Sequence, residues 1–194
     1  MKKIDQFLAD ALEDRGERFF SKFPNECGDC NVCCVAPAID DGETTIPEKP
    51  AGDACKHCSA TGCSIYKKRP RLCKEYACLY LCGLVEERPD SNGVAWSFQP
   101  HFVPRGRLMV MGHCMDAVAV SKDPVAVATM KRFFSESAAV TCVALRDGKN
   151  AISYLRSGES QIIDIDPKDP LKLDLKLGSE RAYDHLLPPE GDIS

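Results

Sequence analysis

The chain has 194 residues, with 25 Lys and Arg against 29 Asp and Glu for a formal net charge of -4, and that length suits one domain with a hydrophobic core of its own. The interspersed, mildly acidic charge gives little support to a nucleic-acid partner, and no run approaches the roughly 18 to 20 apolar residues of a membrane span. Met1-Lys2-Lys3-Ile4-Asp5 runs on to Asp10, Glu13, Asp14 and Arg15 without an apolar signal region, so a cytoplasmic protein with no membrane partner is expected.

Ile4, Phe7, Leu8, Ala11 and Leu12 recur at helical spacing, which predicts an amphipathic helix over about residues 3–18. Pro24 disfavours its continuation. Residues 25–34 should form a tight knuckle, with Gly28 supplying backbone freedom between two cysteines. Residues 37–52 are acidic, proline-containing and weakly periodic, a surface excursion turning at Asp40-Asp41-Gly42. A short helical turn is expected over 64–68 and a helix over 71–84 ending at Gly83, which would put Cys78 and Cys82 on one face.

Beyond Cys82 the texture changes. Residues 94–98 and 107–111 read as strands, and residues 125–134 as a helix introduced by Asp123-Pro124, a capping residue followed by a first-turn proline. Residues 138–145 and 151–155 flank Asp147-Gly148, a hairpin turn signal. A last strand is expected at 162–165, and residues 167–194 as an extended C-terminal arm. The expected fold is α+β, one domain over 1–166, with a small helical, Cys-rich metal-binding region (25–82) packed beside a small antiparallel sheet.

Ten of the twelve cysteines lie between Cys27 and Cys82, as Cys27-x2-Cys30-x2-Cys33-Cys34 and Cys55-x2-Cys58-x4-Cys63-x9-Cys73-x4-Cys78-x3-Cys82. In a reducing cytosol this density argues for metal ligation or redox chemistry over structural disulfides. Two cysteines separated by two residues can turn both sulfurs toward one ion. The thiols up to Cys73 are numerous enough for two four-thiolate zinc sites or for one iron-sulfur cluster with spare thiols. Cys33 and Cys34, being neighbours, do not easily face the same ion, so one is expected to ligate while the other faces a second ion, the core or a substrate. His57, between Cys55 and Cys58, is a candidate ligand or a donor to one, and Cys82 can serve the site or the core. Cys114 and Cys142 sit in apolar, strand-like stretches and read as core cysteines; His101 and His113 read as structural or surface histidines. The basic run Lys67-Lys68-Arg69-Pro70-Arg71 reads as a solvated face that also biases nearby thiols toward thiolate.

These pieces combine. Cys27-Gly28-x-Cys30-x2-Cys33-Cys34, Cys55-x-His57, Gly62-Cys63-Ser64-Ile65-Tyr66, Arg69-Pro70, Cys73 and Tyr76-x-Cys78-Leu79-x-Leu81 together resemble the CxxCxxCC family of zinc- or iron-chelating domains, also called the YkgJ family. The match covers residues 25–82, under a third of the chain. The resemblance implies a cytoplasmic metalloprotein holding zinc or an iron-sulfur cluster. Carried over by position, it implies the ligands Cys27, Cys30, Cys33, Cys34, Cys55, Cys63, Cys73 and Cys78, with Cys58 fitting less firmly. Three functions follow as expectations: a metal-binding protein of unknown reaction, an iron-sulfur oxidoreductase or electron-transfer protein, and a metal carrier or assembly factor. No Ser-His-Asp arrangement, phosphate-binding glycine loop, HExxH helix or dinucleotide fingerprint is present. No catalytic residue or small-molecule substrate is therefore assigned, and a protein partner stays open.

Overall fold

The computed structural model describes residues 4–7, 24–39, 46–70, 73, 76, 78–99, 108–156 and 160–164. The expected helix beyond residue 7, His101, and the arm over 167–194 lie outside them. The fold is mixed α+β. Its centre is a five-stranded sheet, β3 (Val94–Gln99), β4 (Leu108–Cys114), β5 (Val140–Arg146), β6 (Asn150–Leu155) and β7 (Ser160–Asp164), in that spatial order. Two shorter strands, β1 (Cys58–Ser59) and β2 (Gly62–Cys63), pair in a hairpin of their own. Among the described residues no helix is long and apolar enough to cross a membrane.

The sheet departs from the antiparallel one expected. Strands β4 and β5 run parallel, Met111 opposite Ala144, while the other neighbours are antiparallel. The cause is connectivity: a tight hairpin can only reverse the chain, whereas residues 115–139 are long enough to cross over one face before β5 begins. Two helices occupy that crossover, α3 (Ala117–Val120) and α4 (Pro124–Glu136). Asp123 caps α4, its carboxylate accepting from Ala126 N at 2.8 Å, with Pro124 at the first helical position. Ala126, Thr129, Met130 and Phe133 recur at i, i+3, i+4 and i+7 and form its buried stripe.

Alternation along the strands divides the core. Val94, Trp96, Val110, Val143, Leu145 and Ile152 pack with Met130 and Phe133 on the α4 side, where Trp96 meets Phe133 edge-on at 5.3 Å. Met109, Met111, Cys142, Ala144 and Ala151 form a second cluster on the opposite side. Cys114 and Cys142 are thus both buried in strands, as read from the sequence.

The β5–β6 turn is organised by Asp147. This carboxylate, 5% exposed, accepts from Ala117 N at 2.7 Å, Lys149 N at 2.6 Å and Asn150 N at 2.7 Å. Burial pulls its pKa up, and these three backbone donors pull it down further, leaving the carboxyl below its ordinary value.

The Cys-rich segment joins the sheet at the β3 edge. Cys78 forms a bridge with Ser97, and Leu79 N donates to Trp96 O at 2.8 Å. This pairing overturns the helix expected through residue 84. Cys73 is helical, but Leu79–Gly83 are turns, because the Leu79 amide bonds across to β3 and Gly83 reverses the chain at φ +70°. Cys82 N still donates to Cys78 O at 3.2 Å, but the Cys82 side chain joins the core cluster while Cys78 lines the cavity described below.

Candidate metal centre

The first cysteine loop is a turn closed by Cys30 N donating to Cys27 O at 3.1 Å, with Gly28 at φ +57°. It leads into α1 (Val32–Val35), which carries Cys33 and Cys34. The next cysteines are drawn back onto that helix: Cys55 N donates to Cys34 O at 2.9 Å and Gly52 N to Val35 O at 3.0 Å. Lys49 reinforces the join, its ammonium donating to Val35 O at 3.0 Å and to Pro37 O. The β1–β2 hairpin then sets Cys58 opposite Cys63.

Gly62, the hinge of that hairpin, has φ +96°, and a Cβ there would lie 2.6 Å from Gly28 O. The two cysteine loops therefore abut through glycine backbones, which no side chain could replace without separating them. On the outer side, Arg88 bonds Asp29 at 2.6 Å and Asp90 through both nitrogens, at 2.7 and 2.5 Å. Asp90 belongs to α2 (Pro89–Asn92), so the ion pairs pin the first loop to that helix. The contact with Arg88 holds the Asp29 carboxyl below its usual range.

These loops enclose a cavity of about 80 Å³. Its wall contains all eight cysteines implied by the resemblance, Cys27, Cys30, Cys33, Cys34, Cys55, Cys63, Cys73 and Cys78, together with His57, Tyr66, Arg69 and several apolar side chains. Cys58 and Cys82 are not part of it. All twelve cysteines are free thiols. Among the described residues no group of three or more His, Cys, Asp or Glu side chains is gathered so as to hold a metal ion.

The environment of the thiols is polarised. Contact with Cys33 lowers Cys27 to about 7 against the pull of burial, helped by Tyr66 and Arg69. The same neighbour lowers Cys34 to about 6, again against burial, with help from Cys63 and Lys49. Cys33 holds its proton, raised by its contacts with Cys27 and Cys34 and by burial. Burial raises Cys30, Cys63 and Cys78, but each accepts a backbone N–H that counteracts it, from Val32, Ile65 and Tyr80 respectively. His57 N donates to Cys55 Sγ at 3.5 Å. Cys30, Cys55, Cys63 and Cys78 therefore each accept the amide two residues further on, a shared local turn. Burial raises Cys73 to about 11.

Arg69 supplies positive charge. Its guanidinium lies 3.8 Å from the centroid of the Tyr66 ring, and its buried Nε has no hydrogen-bond partner among the described residues. Lys49 was not picked out in the sequence, because nothing in a weakly periodic loop signals that its ammonium folds back beside Cys34 and Cys55. His113, on β4, faces Tyr76 at 5.8 Å between ring centroids, and burial with the charges of Arg146 and Lys49 pushes it down to about 3. It is a neutral, structural histidine.

Compared with protein-family models, curated proteins and solved structures, the chain finds no match.

Proposed function

We propose that this chain is a cytoplasmic cysteine-ligated metal-binding protein, related to the CxxCxxCC family, whose Cys-rich half is organised around zinc or an iron-sulfur cluster. One observation carries the reading: eight thiols from four separate segments of the chain line one cavity. Buried thiols without a chemical task need no common wall. Soft thiolate donors select zinc and iron-sulfur clusters over hard cations, so the donor set fits both occupants.

The surrounding groups fit as well. Cys27, Cys30, Cys33, Cys34, Cys55, Cys63, Cys73 and Cys78 would be the ligands. The sulfurs of Cys30, Cys55, Cys63 and Cys78 each accept a backbone N–H from two residues on, the kind of outer contact that orients a metal ligand. The orphaned Arg69 Nε offers a charge-assisted donor to an anionic thiolate centre. Thiolates would hold a tetrahedral zinc through bonds of about 2.3 Å, and at such a site binding energy would be folding energy. Zinc would supply a structural cross-link, an iron-sulfur cluster one-electron chemistry.

Anaerobic purification followed by metal analysis and a visible spectrum tests this. Stoichiometric zinc in colourless protein, or iron with matching sulfide and a broad band near roughly 400 nm, is expected for thiolate centres. Protein from thiol-trapped cells with its cysteines oxidised in pairs, or free of metal, overturns the reading.

A further inference from the structure

We propose that residues 171–177 add a sixth strand to the central sheet, pairing antiparallel with β7 along the edge that the described residues leave open. The inference is independent of the metal-binding reading.

The sheet has two unlike edges. At β3 the Cys-rich segment lies along the outer edge, through the Cys78–Ser97 bridge and the bond from Leu79 N to Trp96 O. At the other end β7 pairs with β6 along its whole length, from Asn150 opposite Asp164 to Tyr154 opposite Ser160, and no strand among the described residues lies beyond it. Successive residues of an antiparallel strand direct both backbone groups first at one neighbour and then away from it. About half of the N–H and C=O groups of β7 therefore face outward, a template to which an extended segment adds through main-chain hydrogen bonds.

The chain that leaves β7 carries such a segment. Residues 171–177 read Leu-Lys-Leu-Asp-Leu-Lys-Leu, a strict alternation. At a period of two, Leu171, Leu173, Leu175 and Leu177 share one face, and Lys172, Asp174 and Lys176 share the other. Wound at about 100° per residue, the same leucines would split into two pairs on opposite sides of a helix, 171 with 175 and 173 with 177. Only the extended form gathers them. The segment matches β4 and β5 in length, each of 7 residues, and Gly178 ends the alternation.

The connection selects the partner. Between the end of β7 and the segment lies only Ile165-Asp166-Pro167-Lys168-Asp169-Pro170, within the range of about 2 to 6 residues commonest between neighbouring elements. Its two Asp-Pro steps are turn chemistry, and a proline cannot donate to the ladder, so β7 is stopped and the chain turned. A connection this short returns the chain beside the strand it has just left and in the opposite direction, as between β5 and β6. It also holds the segment near β7 at an effective concentration on the order of millimolar, which favours this edge over that of a second copy. The charged positions suit an outermost strand, where lysine discourages further pairing.

Hydrogen exchange read by mass spectrometry on the full chain, in the monomer fraction from size exclusion, tests the pairing. Peptides covering 160–164 and 171–177 should both exchange at least about tenfold more slowly than an unstructured chain. Exchange of 171–177 at the unstructured rate overturns the proposal. The double variant Leu173→Asp, Leu175→Asp should lose protection in 171–177 and in β7 while β3, β4 and β5 keep theirs, and Asp174→Asn, on the other face, should retain it throughout. Loss confined to 171–177, with β7 unchanged, places the segment elsewhere and overturns the pairing. A wild-type dimer that the double variant converts to monomer gives the edge to a second copy and overturns it too. The wild-type exchange stands independently should the double variant fail to fold.

Discussion

Replacing Gly62 by alanine tests whether the two cysteine loops are held together by glycine backbone contact. At φ +96° an L-residue is strained, and its Cβ would lie 2.6 Å from Gly28 O, where ordinary contact begins at 3.4 Å. The backbone strain costs about 1 to 3 kcal/mol, and the overlap adds roughly 1 to 3 kcal/mol, since the opposing atom is a carbonyl that cannot swing aside. Gly93→Ala is the matched control. Its φ is +73°, yet nothing lies within 4 Å of the added Cβ, so it should carry only the conformational cost of about 1 to 2 kcal/mol. Equilibrium urea unfolding measures the difference. With a slope of about 2 kcal/mol/M, Gly62→Ala should fall roughly 0.5 to 1.5 M below Gly93→Ala at unchanged slope. Lower metal content should accompany it, because the displaced loops carry Cys27, Cys30 and Cys63. Equal midpoints for the two variants would refute the steric reasoning.

Other outcomes follow from the same structure. Asp147, with its folded pKa depressed, contributes stability above the unfolded carboxylate pKa of about 3.9, and that contribution is lost as pH falls through the folded value. Asp147→Asn should be less stable than wild type at pH 7, and the gap should shrink under acid in urea titrations; a pH-independent gap contradicts the assignment. Phe133→Ala, fully buried against Trp96, should cost about 3 to 5 kcal/mol, read by thermal or urea unfolding. Cys142→Ala removes a buried strand thiol that does not line the cavity, so it should lower stability modestly while metal content per chain stays unchanged.

The later half of the chain was legible because its signals are local and repeated. Asp123-Pro124 announced α4, and apolar stretches interrupted by turn residues announced the strands. The parallel pairing of β4 and β5 was not legible, since strand direction depends on where the crossover returns. The helix expected through residue 84 failed for a tertiary reason: an apolar, helix-compatible stretch gives its amide at Leu79 to Trp96 O. The β1–β2 hairpin escaped notice because strands of two residues have no period to detect. At the site, the eight cysteines implied by the family resemblance share the cavity wall, whereas the count from spacing ran to Cys73, including Cys58 and not Cys78. The sequence did not indicate Lys49 as their neighbour or the contact between Gly62 and Gly28, both of which arise from long-range folding.

The most direct test of the central claim is X-ray absorption at the edge of the metal that anaerobically purified protein carries. A cysteine-ligated centre predicts a first shell of sulfur alone, at about 2.3 Å for zinc. A first shell dominated by oxygen or nitrogen, or protein with no stoichiometric metal to measure, would contradict it.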